Sequence, residues 1–82
     1  MSIINILAKL PNDIKERIEN PSALQINNDF PGLYIPKENT KELNLLLKEL
    51  EVELNKKNKT TKVISQLLLV KNMNNVIENK IL

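Results

Sequence analysis

The sequence predicts an all-α protein, and three observations carry that reading. Leucine, isoleucine and valine recur at spacings of three and four through most of residues 39–82, which is the period of a helix face. Glycine occurs once, as Gly32, and proline only at positions 11, 21, 31 and 36, so no breaker falls inside that region. The helical period is lost only over residues 22–36. The expected architecture is a small bundle: two short N-terminal helices at about 2–10 and 12–20, then a longer C-terminal helical hairpin at about 39–57 and 61–80. An extended connection or weak β-hairpin at 22–36 joins the two halves.

The first helix places Ile3, Ile6, Leu7 and Leu10 on one face, with Ser2 as a candidate cap. Pro11 ends it, because the residue before proline is pushed out of the helical region. Proline also suits the first turn of a helix, so a second begins at once and runs from Asn12 to Asn20. Ile14 and Ile18 face inward there, and Asp13 can pair with Arg17 one turn on. Neither helix is long enough to stand alone. Both must lie on the larger pair.

Between Ser22 and Pro36, Leu24 and Ile26 alternate with polar neighbours, as do Leu33 and Ile35 around Tyr34. Asn27, Asn28, Asp29, Pro31 and Gly32 are turn formers, and Pro31-Gly32 fits the two central positions of a type II turn. The segment therefore reads either as a two-stranded hairpin or as an extended connection holding Phe30, Leu33 and Ile35 against the helices.

Asn39-Thr40-Lys41-Glu42 has the form of a capping box. Leu43, Leu46, Leu47, Leu50 and Leu54 follow as a core-facing stripe, and Glu53 can pair with Lys57. Leu45 and Val52 lie roughly opposite that stripe. The last helix is capped by Thr60 or Thr61; Val63, Leu67, Val70, Ile77 and Ile81 form its inner face, with Met73 at the edge and Asn74 interrupting it. Its first half is unusual. Val63, Ile64, Leu67, Leu68, Leu69 and Val70 point nearly all round the axis, and such a segment needs cover on several sides.

Composition narrows the function classes. Eighty-two residues make one domain, able to bury roughly 60% of its unfolded-chain surface. Apolar residues make up 41%, yet Phe30 and Tyr34 are the only aromatics. Twelve basic against ten acidic residues leave a net charge of +2, too small to imply an acidic partner by itself. Cysteine and histidine are both absent, which removes disulfides, thiol chemistry, the usual transition-metal ligands and the commonest general base. The N-terminal residues lack a signal-peptide pattern and no apolar run approaches the ~20 residues of a membrane span, so the expectation is a cytoplasmic protein without membrane contact. Heavy use of Asn, Ile and Lys is common in AT-rich genomes, such as those of low-GC bacteria and their phages.

With a single glycine there is no glycine-rich phosphate loop, and no calcium-loop spacing of acids appears. Glu49, Glu51 and Glu53 are close in sequence, but on a helix Glu51 points away from the other two. No enzyme activity, cofactor or metal is expected. What remains is binding. Candidate contact residues for another chain are Tyr34, Leu45, Val52, Ile64, Leu68 and Leu69. Lys56, Lys57, Lys59 and Lys62, four ammonium groups in seven residues, are candidate phosphate contacts. The leading expectation is a non-catalytic module that self-associates as a homodimer or larger bundle and binds a further protein, as an adaptor, assembly factor or small phage-type inhibitor. A nucleic-acid-associated regulator using the lysine turn, or capture of a small anion at a subunit boundary, stands behind it.

Overall fold

The computed structural model describes residues 2–27, 30–35 and 37–81, apart from the side chains at positions 24, 80 and 81. The expectations that fell on Leu24, Asn28, Asp29, Pro36 and the Ile81 side chain therefore lie outside the described residues. Among the described residues four longer helices and one single turn follow one another: α1 (Ile3–Lys9), α2 (Asn12–Glu19), α3 (Ala23–Ile26), α4 (Thr40–Asn55) and α5 (Thr61–Ile81). The all-α class holds.

Local chemistry accounts for most of the boundaries. Ser2 caps α1, its hydroxyl accepting the Asn5 N–H at 3.2 Å, and Leu10 is extended (φ −84°, ψ 152°) ahead of Pro11. Pro11 sits just outside α2, where its carbonyl accepts the Lys15 N–H at 2.9 Å. Thr60 caps α5 through its hydroxyl, which accepts the Val63 N–H at 3.2 Å.

Two expectations about α4 need correcting. Asn39 occupies the cap position, but its side chain makes no capping bond; only its carbonyl accepts, from the Leu43 N–H at 2.9 Å. The helix also ends at Asn55 rather than 57, so Lys57 has left the helical register. Glu53 pairs instead with Lys56, at 2.9 Å.

The 22–36 connection is a third correction. No strand occurs among the described residues, and Ala23–Ile26 forms a helical turn. Ser22 explains it. Its hydroxyl accepts from both the Gln25 backbone N–H (3.4 Å) and the Gln25 side-chain amide (3.1 Å), a local cap that overrides the alternating pattern. The turn at Pro31-Gly32 does form: Leu33 N–H donates to the Phe30 carbonyl at 3.2 Å and Gly32 has φ +73°. Glycine serves that dihedral and not a close approach, since a Cβ there would lie 3.9 Å from Arg17 Nη2. Phe30, Leu33 and Ile35 pack partly buried against the core, as an extended connection requires.

α4 and α5 run antiparallel, because Lys48 pairs with Glu78 (3.2 Å) while Glu51, further along α4, meets Lys71, earlier in α5 (3.9 Å). At about 1.5 Å per residue α5 is ~31 Å long, against a longest molecular dimension of 34 Å. It spans the molecule, and the shorter helices are laid on it or on α4. α1 packs on α4; α2 and α3 pack on α5. One core results, holding Ile6, Leu10, Ile14, Ile18, the leucines of α4 at 43, 47, 50 and 54, and Val63, Leu67, Leu69, Val70, Met73 and Ile77 of α5.

The second side of α5 is held by two amide side chains. Gln66 Nε2 donates to the Ile18 carbonyl at 3.1 Å, and Asn72 Nδ2 to the Ile26 carbonyl at 2.7 Å. Both carbonyls lie in the last turn of a short helix, where intrahelical partners run out. Leu69 lies between Gln66 and Asn72 on the helix surface and is fully buried.

Arg17 fixes the connection to this frame. Its guanidinium donates to Asp13 Oδ1 (3.0 Å), Gln25 Oε1 (3.2 Å) and the Pro31 carbonyl (2.7 Å), tying α2, α3 and the Pro31-Gly32 turn through one side chain. Lysine offers a single point charge and cannot reproduce that fork. Replacing Arg17 by lysine is expected to cost about 1–3 kcal/mol and to make the 27–38 connection more sensitive to limited proteolysis. Equal cleavage rates in the two proteins would contradict the clasp.

Asn74 is the exception in the core. It is buried, yet among the described residues neither Oδ1 nor Nδ2 has a hydrogen-bond partner, and Asn44 Oδ1 on α4 is in the same condition. A buried amide without partners costs roughly 1–3 kcal/mol. Asn74→Leu should therefore raise stability by about that amount, read as a higher urea midpoint at unchanged slope. A lower midpoint would mean that Asn74 has partners in solution.

Candidate functional site

Four large apolar side chains stand on the outer side of the hairpin. Leu45 and Val52 lie two turns apart on α4, and Ile64 and Leu68 one turn apart on α5; their exposures run from 44% to 61%. Turning about α4 away from its buried leucines, one meets Glu51, then Lys48, then Val52 and Leu45. Turning about α5 from its buried face, one meets Glu78 and Lys71, then Ile64 and Leu68. The ion pairs Lys48–Glu78 and Glu51–Lys71 close the seam between the helices, and the apolar pairs flank it. The charge along the seam is thus already balanced.

Leu69, expected on this surface, does not belong to it. The α2–α3 side of the fold covers it completely, so it serves the core. Tyr34 is 73% exposed in the connection segment. Ile4, at 79% exposed, was not anticipated. It lies off the Ile3–Ile6–Leu7–Leu10 face, and that departure from the stripe was the available signal.

Of Glu49, Glu51 and Glu53 on α4, only Glu51 points to a different side, as helical geometry requires. Glu49 is exposed, Glu51 turns to Lys71 and Glu53 to Lys56. The Lys56 ammonium beside Glu53 holds its carboxyl below the usual glutamate range, with partial burial pushing the other way. The sign follows directly. A depressed carboxyl contributes stability above its unfolded value, and that contribution is lost as pH falls through the lower folded value. Glu53→Gln should therefore show a shallower loss of melting temperature below about pH 4.3 than the parent chain. Identical acid limbs would mean that solvent screens the pair fully.

The lysine turn is similarly divided. Lys56 is engaged with Glu53, and Lys59 Nζ donates to the Asn55 carbonyl at 2.7 Å, closing the C-terminal end of α4. Lys57 and Lys62 are exposed and form no ion pair among the described residues. They border a cleft of about 750 Å³ between α1 and the α4–α5 turn, whose walls include Ile3, Leu7, Leu54 and Val63. Sequence spacing could not have shown this cleft, because α1 joins the turn only through tertiary packing. Among the described residues no helix is long and apolar enough to cross a membrane. Compared with protein-family models, with curated proteins and with solved structures, the chain matches none.

Proposed function

We propose that the chain is a non-catalytic binding module that self-associates through the outer face of the α4–α5 hairpin. The observation that supports it is the set Leu45, Val52, Ile64 and Leu68, half-exposed on the two longest helices around a charge-balanced seam. A surface with its own cations and anions already paired does not repel a second copy, and apolar side chains two turns apart on α4 suit an antiparallel or parallel helix partner. A small cytoplasmic adaptor, assembly factor or inhibitor of phage type would use such a face.

Magnitudes decide the kind of association. Burying the exposed half of each of these side chains is worth roughly 1 kcal/mol, or about 8 kcal/mol over both copies. Association costs on the order of 4–15 kcal/mol. The expected dimer is therefore reversible and concentration-dependent, not obligate.

Sedimentation equilibrium across a concentration series up to the millimolar range should show a rising average mass. The double variant Leu45→Glu/Leu68→Glu, altered only at exposed positions, should keep its helical circular dichroism and remain a monomer. A strictly monomeric parent chain across that series would remove the proposal.

A further inference from the structure

The cleft at the α4–α5 turn combines two chemistries. Its floor is hydrocarbon: Leu54 and Val63 are buried, while Ile3 and Leu7 are only partly covered, so α1 leaves some of its apolar face open here. Its rim is cationic, with Lys57 and Lys62 unmatched by any carboxylate among the described residues. Lys56 also borders the cleft, but Glu53 offsets its charge. No acidic residue occupies the first turn of α5, so the positive end of that helix adds to the field at the same place.

We propose that this cleft binds a small amphiphilic anion, a single alkyl chain with a phosphate or carboxylate head. The chain lies along Ile3, Leu7, Leu54 and Val63, and the head sits between Lys57 and Lys62. Each half of such a molecule answers one half of the cleft. An inorganic anion meets only two solvated ammonium groups, whose attraction is weakened by water and salt. A neutral alkyl compound gains the floor but leaves the lysines without counter-charge. The volume of about 750 Å³ is in the range of small-molecule sites. Nucleic acid is disfavoured, because the walls offer no aromatic ring on which a base can stack. None of these residues belongs to the Leu45–Val52–Ile64–Leu68 face, so the inference stands apart from self-association.

The test is titration calorimetry with amide-shift mapping, using octyl phosphate below its micellar concentration. Inorganic phosphate, octyl glucoside and anionic phospholipid vesicles are the comparison arms. Octyl phosphate should saturate a single site, with shifts centred on Ile3, Leu7 and Val63. The double variant Lys57→Glu/Lys62→Glu, changed at exposed positions the fold does not use, should weaken it at least tenfold. Lys41→Glu, exposed on α4 and outside the cleft, should leave it unchanged. Absence of octyl phosphate binding overturns the inference, as does equal binding of octyl glucoside or of inorganic phosphate. So does unaltered affinity in the double variant, and binding to vesicles alone would reassign the lysines to a membrane surface.

Discussion

Contact of α5 with two sets of neighbours at once is the constraint on which the rest of the molecule depends. One side of this helix meets the leucine stripe of α4 through Val63, Leu67, Val70, Met73 and Ile77. The adjoining side meets α2 and α3, with Leu69 enclosed between the Gln66 and Asn72 hydrogen bonds. An 82-residue chain has little apolar surface to spare. Placing one long helix in the middle lets α2 and α3 reach cover on it, while α1 finds its own on α4, without building a second core. The cost appears on the remaining side, where Ile64 and Leu68 stay about half exposed.

Much of this was legible in the sequence because helix period is a local property. The stripes of α4 and α5, the caps at Ser2 and Thr60, the Asp13–Arg17 pair and the Pro31-Gly32 turn all follow from residues a few positions apart. That Leu45 and Val52 fall outside the α4 stripe was legible too, whereas the sequence leaves open whether other elements cover them, or Ile64, Leu68 and Leu69. What escaped depended on distant partners. The pattern around Leu69 does not reveal that α2 and α3 will cover it, since nothing near it in sequence names Ile18 and Ile26 as acceptors. The alternation at Leu24 and Ile26 suggested strand, and a single hydroxyl at Ser22 decided for a helical turn instead. Asn39 had the right identity for a cap but not the orientation.

The two surfaces that carry functional readings differ in kind. The hairpin face is apolar, charge-balanced and flat in its chemistry, which favours a like surface. The cleft at the turn is concave and divided between hydrocarbon and ammonium groups, which favours a molecule with both characters. Arg17 and Lys59 belong to neither: Arg17 is engaged by Asp13, Gln25 and the Pro31 carbonyl, Lys59 by the Asn55 carbonyl, and they hold the connection and the end of α4 in place. Counting lysines and arginines along the chain therefore overstates the charge offered to a ligand.

The amide tethers have a consequence for the way the chain comes into being. The carbonyls that end α2 and α3 find their donors in Gln66 and Asn72, more than forty residues later. Helices of four to eight residues do not persist unaided in water. During synthesis α2 and α3 therefore gain these donors only once α5 has been made.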